Sequence, residues 1–168
     1  MKMRRLDREV TKSDEKLEII SRCKVCRLAM IDETVKPAEP YIVPLNFGYE
    51  YAGGILYLYF HSAGEGRKIG LLKSSALPVA RPVCFEMDGG HQLVAAGPQD
   101  CDYGFLYESV IGKGTVEFVE DREEKIHGLK LLMRQQTGED REFAFGDAAV
   151  NAITIFRLRV EEWSAKRH

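Results

Sequence analysis

The sequence predicts a mainly β fold, a small antiparallel barrel with helices covering its ends. Strand-like runs predominate and are separated by turns, such as the Gly53-Gly54 pair before the run 55–61. That run is apolar on both faces, which is typical of a barrel wall covered from outside by helices or a partner. Two other segments begin with capping-box spacing and continue with apolar residues at helical intervals. The 168 residues suit one domain, 1–168, with a core of ordinary size.

Six strands and two or three helices are expected, each from its periodicity and its flanking turn residues. Pro44 interrupts one strand, and because a proline cannot donate to a ladder, that strand must lie at an edge or be irregular. The segment 88–105 contains Gly, Pro and Asp and is predicted to be a long loop. The strands are predicted at 25–31, 41–49, 55–61, 79–87, 107–119 and 152–163, and the helices at 13–22, 65–74 and from Asp121 onwards, with a helical turn within 137–149.

Composition excludes several classes of function. The formal net charge is −2, and the sequence lacks the basic field that nucleic-acid-binding proteins use. No apolar run approaches the roughly 20 residues of a membrane span. The basic residues at the start are followed by charged residues through Glu18, where a signal peptide would be apolar. We therefore expect a cytoplasmic protein that binds neither nucleic acid nor membrane.

Cys23 and Cys26 have the spacing of a metal or redox pair, but their context favours neither. A zinc site needs a second pair of Cys or His ligands at close spacing, and none follows. A thioredoxin-type pair opens a helix after a strand, whereas here a helix ends near Cys23 and a strand begins. We predict that both are small buried side chains at a helix–strand junction and that the protein holds no metal.

The segment Phe60–Lys68 carries the strongest functional signal. A strand passes into a Gly-rich turn and then a helix, so the first N–H groups of the helix, which have no intrahelical partner, are available to an anion. His61 and Ser62 add short polar groups, and Arg67 and Lys68 add positive charge. Cations at a helix N-terminus are unfavourable unless an anion compensates them. The segment therefore predicts a phosphate site.

Two further segments complete the pattern. Tyr41–Tyr49 offers a flat apolar wall with backbone groups left free by Pro44, and Tyr107–Gly114 offers small residues that a planar ring can approach closely. A phosphate at one end and an aromatic ring over apolar backbone at the other describe a flavin mononucleotide (FMN). Each segment alone is a weak signal, and their order along the chain gives the pattern its weight.

The chain resembles the flavin-binding split-barrel superfamily that includes pyridoxamine 5′-phosphate oxidases, and most closely its nitroimidazole-resistance (Nim-type) branch. The matching motifs span nearly the whole chain in the expected order. They are Met3-Arg4-Arg5, Pro44–Tyr49, Leu58–Ala63 with Gly66-Arg67-Lys68, Tyr107–Gly114 and Val160–Lys166. The resemblance implies a six-stranded antiparallel split β-barrel that forms a homodimer, with two flavins bound in grooves between the subunits.

The resemblance also implies which residues contact the flavin. One group borders the isoalloxazine ring, a second holds the phosphate, and a third approaches the flavin from the same or the other subunit. In this sequence the groups are Val43, Pro44, Leu45 and Asn46; His61, Ser62, Ala63, Arg67 and Lys68; and Ser109, Val110, Ile111 and Gly112. His61 is also the candidate for a catalytic role, because Nim-type proteins single out the histidine of this motif.

From the resemblance we expect an FMN-dependent oxidoreductase, with FAD as the other flavin that the phosphate site can serve. Electrons would come from NAD(P)H or another reductant and reach a small organic acceptor, such as a nitroimidazole or another nitroaromatic. Pyridoxamine-phosphate oxidase activity is not expected, because the Arg-x-His and Arg-Leu-Xaa-Pro segments of those enzymes have no counterpart here. The alternative is a non-catalytic module that binds flavin or haem for storage, sensing or delivery, with His61 and His91 as candidate haem ligands.

Overall fold

A computed structural model describes residues 4–75, 82–95 and 97–168. These residues form four helices and eight strands, with short 3₁₀ turns at Leu6–Arg8 and Asp100–Asp102. The helices are α1 (Ser13–Arg22), α2 (Arg67–Ser75), α3 (Arg122–Thr137) and α4 (Asp147–Asn151). The strands are β1 (Glu9–Val10), β2 (Cys26–Asp32), β3 (Glu39–Leu45), β4 (Gly48–Ala52), β5 (Ile55–Ser62), β6 (Val83–Ala95), β7 (Tyr103–Val119) and β8 (Thr154–Arg167). Among these helices, none combines the length and the apolar character needed to cross a membrane.

All eight strands belong to one antiparallel sheet in the order β3-β2-β6-β7-β8-β5-β4, with β1 paired to β8. β3 and β4 stand at the two ends of this order, so the barrel is split rather than closed. Side chains alternate along β2, where Cys26, Leu28 and Met30 are buried in the barrel and the intervening residues face outward. The predicted mainly β fold, an antiparallel split barrel with flanking helices, is confirmed.

The strand count is eight among the described residues rather than six, for two reasons. The predicted strand 41–49 is divided into β3 and β4, because the chain turns at Asn46-Phe47 and each half pairs with a different neighbour. The two residues of β1 carry no periodic signal that a sequence could reveal. The predicted edge position of Pro44 is confirmed, since β2 is the one strand among those described that pairs with β3. The start of the predicted strand 79–87 lies partly outside the described residues, and β6 is described from Val83.

The predicted loop at 88–105 is wrong. β6 continues to Ala95 and β7 begins at Tyr103, so most of this segment is a two-stranded arm that extends the sheet; residue 96 lies outside the described residues. The Gly89-Gly90 pair forms an irregularity in the β6 ladder instead of ending the strand, and Gly90 has φ +66. A glycine pair within a strand is compatible with a bulge as well as with a turn, and here the bulge is formed.

The predicted helix 13–22 is confirmed as α1, although its predicted capping box is not formed: Lys12 precedes the helix without a side-chain cap. α3 is capped as predicted, because the Asp121 carboxylate accepts a hydrogen bond from the Glu124 N–H at 2.8 Å. α2 begins at Arg67 rather than at 65, and the predicted helical turn within 137–149 corresponds to α4.

Helix α3 packs directly on the sheet because glycines permit a close approach. A Cβ on Gly48 of β4 would lie 2.3 Å from the Leu132 backbone nitrogen of α3, and a Cβ on Gly128 would lie 2.7 Å from the Tyr59 ring. The C-terminal turn of α3 is held by Gln135, whose buried amide donates to the Cys23 carbonyl at 2.6 Å. α3 thus joins the β4 side of the barrel to the junction between α1 and β2.

Cys23 and Cys26 are buried free thiols at that junction, as predicted. Burial raises the pKa of the Cys23 thiol to about 11 and also raises the pKa of Cys26. Both side chains are therefore protonated at neutral pH and act as apolar packing groups. No cluster of three or more metal-ligating side chains occurs in the described part of the chain.

The close packing of α3 on β4 gives the first prediction. Gly48→Ala forces a methyl group into the α3 backbone and should destabilise the fold by about 1–3 kcal/mol, the usual cost of overpacking. Gly70→Ala is the matched control, because a Cβ at Gly70 meets nothing within 4 Å and alanine is favoured over glycine within a helix. Denaturant unfolding of the two variants should therefore give changes of opposite sign. Equal stabilities would contradict the close packing of α3.

Candidate functional site

The predicted order of strand, Gly-rich turn and helix is present where β5 passes into α2. Gly66 has φ +107, a backbone conformation that favours glycine. The first backbone bond of the helix joins the Gly70 N–H to the Gly66 carbonyl at 3.0 Å. The N–H groups of residues 67–69 precede that bond, so they lack an intrahelical acceptor and point out of the helix N-terminus. We call this turn and helix start, residues 61–68, the cradle.

Arg67 of the cradle is tied to a buried carboxylate. Its Nε and Nη2 atoms both lie 2.7 Å from Asp32 Oδ2 at the end of β2. Asp32 is only 1% exposed, and its other oxygen accepts from the Thr34 hydroxyl at 2.5 Å and the Thr34 N–H at 2.9 Å. The guanidinium also lies 4.6 Å over the Tyr41 ring. The charge of Arg67 is therefore compensated within the chain.

The Asp32 contacts favour its ionised form. The hydrogen bond from the Thr34 side chain, followed by those from the Thr34 N–H and Arg67, holds the pKa of Asp32 below its ordinary value. The sequence argument that both cations of the cradle require an external anion is thus corrected for Arg67, whose anion is Asp32. Sequence reasoning missed Asp32 because its partner lies 35 positions away.

Lys68 is the cation of the cradle that remains uncompensated. It is half-buried and forms no ion pair with any residue that the structure describes. Burial lowers the pKa of its ammonium group, as expected for a cation partly removed from water without a counter-charge. Close to Lys68 along the chain, the Ser62 side chain is buried, whereas His61 and Ala63 are exposed.

The contacts of Arg67 place the cradle beside strand β3. Arg67 bridges the end of β2 at Asp32 and the start of β3 at Tyr41. From Tyr41 the strand runs to Asn46, a distance of about 16 Å at ~3.3 Å per residue. The cradle therefore lies next to the start of β3, and the predicted apolar wall continues along the same edge strand.

Alternate residues of β3 have different roles on this surface. The side chains of Val43 and Leu45 pack against the barrel core, whereas Pro44 and Asn46 are exposed. Prolines fit an edge strand only where their nitrogen faces away from the neighbouring strand, so the carbonyl of Pro44 and, by alternation, the N–H of Ile42 face away from β2. Of the four predicted ring contacts, Pro44 and Asn46 have exposed side chains, whereas Val43 and Leu45 point their side chains inward and their backbone groups toward β2.

Asn46 is held by a network that sequence reasoning missed. Its Nδ2 atom donates to the Lys24 carbonyl at 3.2 Å and to Gln136 Oε1 at 2.9 Å. The Gln136 Nε2 atom donates in turn to the carbonyls of Phe47, at 3.1 Å, and Lys24, at 3.2 Å. Gln136 lies in the last turn of α3, so no local signal in the sequence connects it to β3.

The third predicted segment, Ser109–Gly112 of β7, lies apart from the cradle and β3 within one chain. β2 and β6 stand between β3 and β7, a separation of about 14 Å at the usual strand spacing. Ser109 and Ile111 face outward, whereas Val110 and Gly112 face the interior. A Cβ on Gly112 would lie 2.5 Å from the Phe85 ring, so packing within the barrel accounts for this glycine.

The outer face of these strands carries a shallow apolar cavity of about 290 Å³. Ile42 and Ile111 are unusually exposed for their type, at 62% and 43%. The Arg27–Glu86 ion pair, 3.0 Å long, borders the cavity on one side. The signal in the sequence was the apolar character of outward positions on several strands; the lining residues are Arg27, Ala29, Ile42, Cys84, Phe85, Glu86 and Ile111.

The sequence profile described as pyridoxamine 5′-phosphate oxidase matches residues 12–167. The chain belongs to this family. The resemblance predicted from the motifs is therefore confirmed over nearly the whole chain. No curated protein matches the sequence.

Solved structures agree with this family. A candidate 5-nitroimidazole antibiotic resistance protein from Bacteroides thetaiotaomicron is 33% identical over 95% of this chain and 86% of that chain, with a TM-score of 0.76. A flavocytochrome from Azotobacter vinelandii is 16% identical over 99% of this chain and 72% of its own, with a TM-score of 0.73. An FAD- and haem-binding protein from Mycobacterium smegmatis is 19% identical over 95% of this chain and 73% of its own, with a TM-score of 0.70. The proteins from Azotobacter vinelandii and Mycobacterium smegmatis are similar to this chain in fold.

The ion pair between Arg67 and Asp32 gives the second prediction. Arg67→Met leaves a buried carboxylate without its cation and should lower the melting temperature by several degrees at neutral pH, and adding Asp32→Asn should restore part of the loss. The pKa of Asp32 is lowered in the folded state. Its contribution to the free energy of unfolding is therefore full above the ordinary pKa of an aspartate, and it is lost as the pH falls through the lowered pKa of the folded protein.

The control pair is Arg134 and Asp140, which lie 3.4 Å apart and are largely exposed. Arg134→Met and Asp140→Asn should show almost no coupling in the same thermal measurements, since exposed pairs contribute little. A coupling energy for Arg67 and Asp32 as small as that of the control would show that this ion pair does not hold α2 in place.

Proposed function

We propose that this protein binds FMN along β3, with the phosphate in the cradle and the isoalloxazine ring beside Pro44 and Asn46, and that the flavin serves an oxidoreductase reaction. The observation that carries the proposal is the contact between the start of α2 and the edge strand β3, where Arg67 lies over Tyr41 and the strand leads on to Asn46. The cradle end of this region is cationic, as suits the phosphate of FMN, and the Pro44 end is apolar with free backbone groups, as suits the isoalloxazine ring. Family membership and the flavin-binding relatives add support.

The phosphate end is supported by charge and by backbone geometry. Three N–H groups at the start of α2 lack intrahelical acceptors, and a helix N-terminus favours an anion. Lys68 supplies a positive charge that no described carboxylate neutralises. Arg67 keeps three guanidinium hydrogens beyond the two donated to Asp32, so its outer edge can still donate to a phosphate oxygen. His61 is exposed beside these groups and remains the candidate for a catalytic role.

The ring end is supported by the free edge of β3. Pro44 gives an apolar outward surface, and the backbone edge that faces away from β2 offers the N–H of Ile42 and the carbonyls of Ile42 and Pro44. These groups can orient a ring that carries both donors and acceptors. One uncompensated lysine matches the single phosphate of FMN better than the diphosphate of FAD, so FMN is the flavin that we propose.

The flavin, once bound, would supply the redox chemistry, accepting electrons from NAD(P)H or another reductant and passing them to a small organic acceptor such as a nitroimidazole. The chain's own part is to bind, orient and shield the cofactor. The nitroaromatic class is suggested by the relative from Bacteroides thetaiotaomicron, a candidate 5-nitroimidazole resistance protein. Oxidation of pyridoxamine phosphate is not proposed, because the C-terminal motif for that substrate has no counterpart in this sequence.

We also propose a homodimer formed through the outer face of β2, β3, β6 and β7. Ile42 and Ile31 on this face are 62% and 58% exposed, values that are costly for large aliphatic side chains unless a partner covers them. Within one chain, Ser109 and Ile111 lie about 14 Å from β3 at the usual strand spacing. In a dimer through this face, β7 of the second copy can complete the flavin site.

The third prediction tests the phosphate end. Lys68→Ala should raise the dissociation constant for FMN about ten- to a hundredfold, because it removes a charge-assisted contact. The affinity for riboflavin, which has no phosphate, should stay unchanged. Lys73→Ala, in the last turn of the same helix, is the control. Titrations followed by flavin fluorescence measure the dissociation constants of both ligands for the wild type and the two variants, and weak FMN binding by the wild type would refute the proposal itself.

Turnover is then tested with the reconstituted protein. Anaerobic mixing with NADPH or NADH should bleach the flavin absorbance, and addition of a nitroimidazole should restore it. Flavin that is bound tightly but is reduced by neither donor would favour the non-catalytic binding module over the enzyme.

The fourth prediction tests the dimer face with thiol chemistry. Cys84 lines the outer cavity and Cys101 lies in the turn of the β6–β7 arm, and both are exposed within one chain. In the proposed dimer Cys84 is covered, so its labelling by a maleimide should slow as protein concentration rises, while Cys101 stays reactive. Cys84→Ser and Cys101→Ser variants separate the two signals. Equal labelling rates in a sample that sedimentation shows to be dimeric would exclude this face.

A further inference from the structure

The amide orientation of Gln136 is fixed by its surroundings. Its Nε2 atom lies within hydrogen-bond distance of two backbone carbonyls, those of Phe47 at 3.1 Å and Lys24 at 3.2 Å. Carbonyl oxygens can only accept, so the atom facing them must be the NH₂ group. The Gln136 oxygen is therefore directed at Asn46.

The orientation of Gln136 in turn fixes that of Asn46. The Asn46 atom nearest to Gln136 Oε1, at 2.9 Å, must be a donor, and the same atom lies 3.2 Å from the Lys24 carbonyl. Both hydrogens of the Asn46 amide are thus used inside the protein. The Asn46 Oδ1 atom receives no hydrogen bond from the described residues, and the side chain is exposed at the end of β3. It is an oriented acceptor at the ring end of the surface.

We infer that Asn46 Oδ1 accepts a hydrogen bond from the imide N–H of the flavin ring, and that Gln136 is a positioning residue for this contact. The inference rests on the proposed FMN site and names the side-chain atom that would recognise the isoalloxazine ring. The imide N–H is a donor that lies between two ring carbonyls. An acceptor opposite it therefore fixes both the orientation of the ring and its position along β3. The backbone N–H at the free edge of β3 can then serve a ring carbonyl.

The same network explains why an amide suits this position better than a carboxylate. An aspartate at position 46 would direct oxygen at the Lys24 carbonyl and at Gln136 Oε1, which are both acceptors. Two acceptors facing each other repel and lose the bonds that orient the side chain. The side chain at position 46 must therefore donate two hydrogen bonds to the protein and present one acceptor to the ligand.

The test compares FMN with 3-methyl-FMN, in which the imide hydrogen is replaced by a methyl group. The wild type should bind the methylated flavin about tenfold more weakly, the expected effect of losing a hydrogen bond to an oriented acceptor. Asn46→Leu keeps similar bulk but cannot accept, so its two affinities should be nearly equal. A wild-type ratio near one, or a ratio in Asn46→Leu as large as that of the wild type, overturns the inference.

Gln136 is tested by an isosteric change. Gln136→Glu keeps the size of the side chain but cannot donate to the Phe47 and Lys24 carbonyls, so the FMN to 3-methyl-FMN ratio should fall toward one. Gln92→Leu on the exposed arm is the control and should keep the wild-type ratio. A Gln136→Glu variant with lower thermal stability but an unchanged ratio would mean that Gln136 supports the fold without positioning Asn46.

The outcomes also separate this inference from the proposed function. If the wild type binds neither flavin, the FMN site and the inference fail together. If the wild type binds FMN more tightly than riboflavin but does not distinguish 3-methyl-FMN, the phosphate end stands and the contact assigned to Asn46 is wrong.

Discussion

The candidate site depends on one ion pair, that between the buried carboxylate of Asp32 and the half-exposed guanidinium of Arg67. A carboxylate that is 1% exposed must be compensated, and the compensating guanidinium is the first residue of α2. The pair therefore determines where α2 begins and which way its N-terminus points. Because Tyr41 lies under the same guanidinium, the start of β3 is held next to the helix N-terminus. Without this pair the cradle and the strand would be separate features.

The opposite end of the surface is held by α3 through a different kind of contact. Gln135 and Gln136 are neighbours in its last turn, and their amides bind backbone carbonyls around the start of β2 and the end of β3. The close approach of α3 at Gly48 brings this turn within reach. One end of β3 is thus set by charge and the other by neutral hydrogen bonds, and both sets of partners come from helices outside the barrel.

Local patterns in the sequence were sufficient for the fold class, for α1 and for the edge position of Pro44, because each depends on periodicity or on the chemistry of a single residue. The β6–β7 arm was not predictable in this way, since Gly89-Gly90 is compatible with a turn or a bulge and pairing with β7 decides between them. The partners of Arg67 and Asn46 were also missed. Asp32 lies 35 positions from Arg67 and Gln136 lies 90 from Asn46, and only tertiary packing creates such contacts.

The two prolines of β3 have a consequence for the behaviour of the protein in a crowded solution. An edge strand with free N–H and carbonyl groups is a template on which another chain can add a strand, the first step of many aggregation reactions. Pro40 and Pro44 remove two donors from the open edge and leave Ile42 between them. An incoming strand therefore finds an incomplete ladder, whereas a small ligand that needs only one or two backbone groups is still accommodated. The edge can stay open without inviting fibrous association.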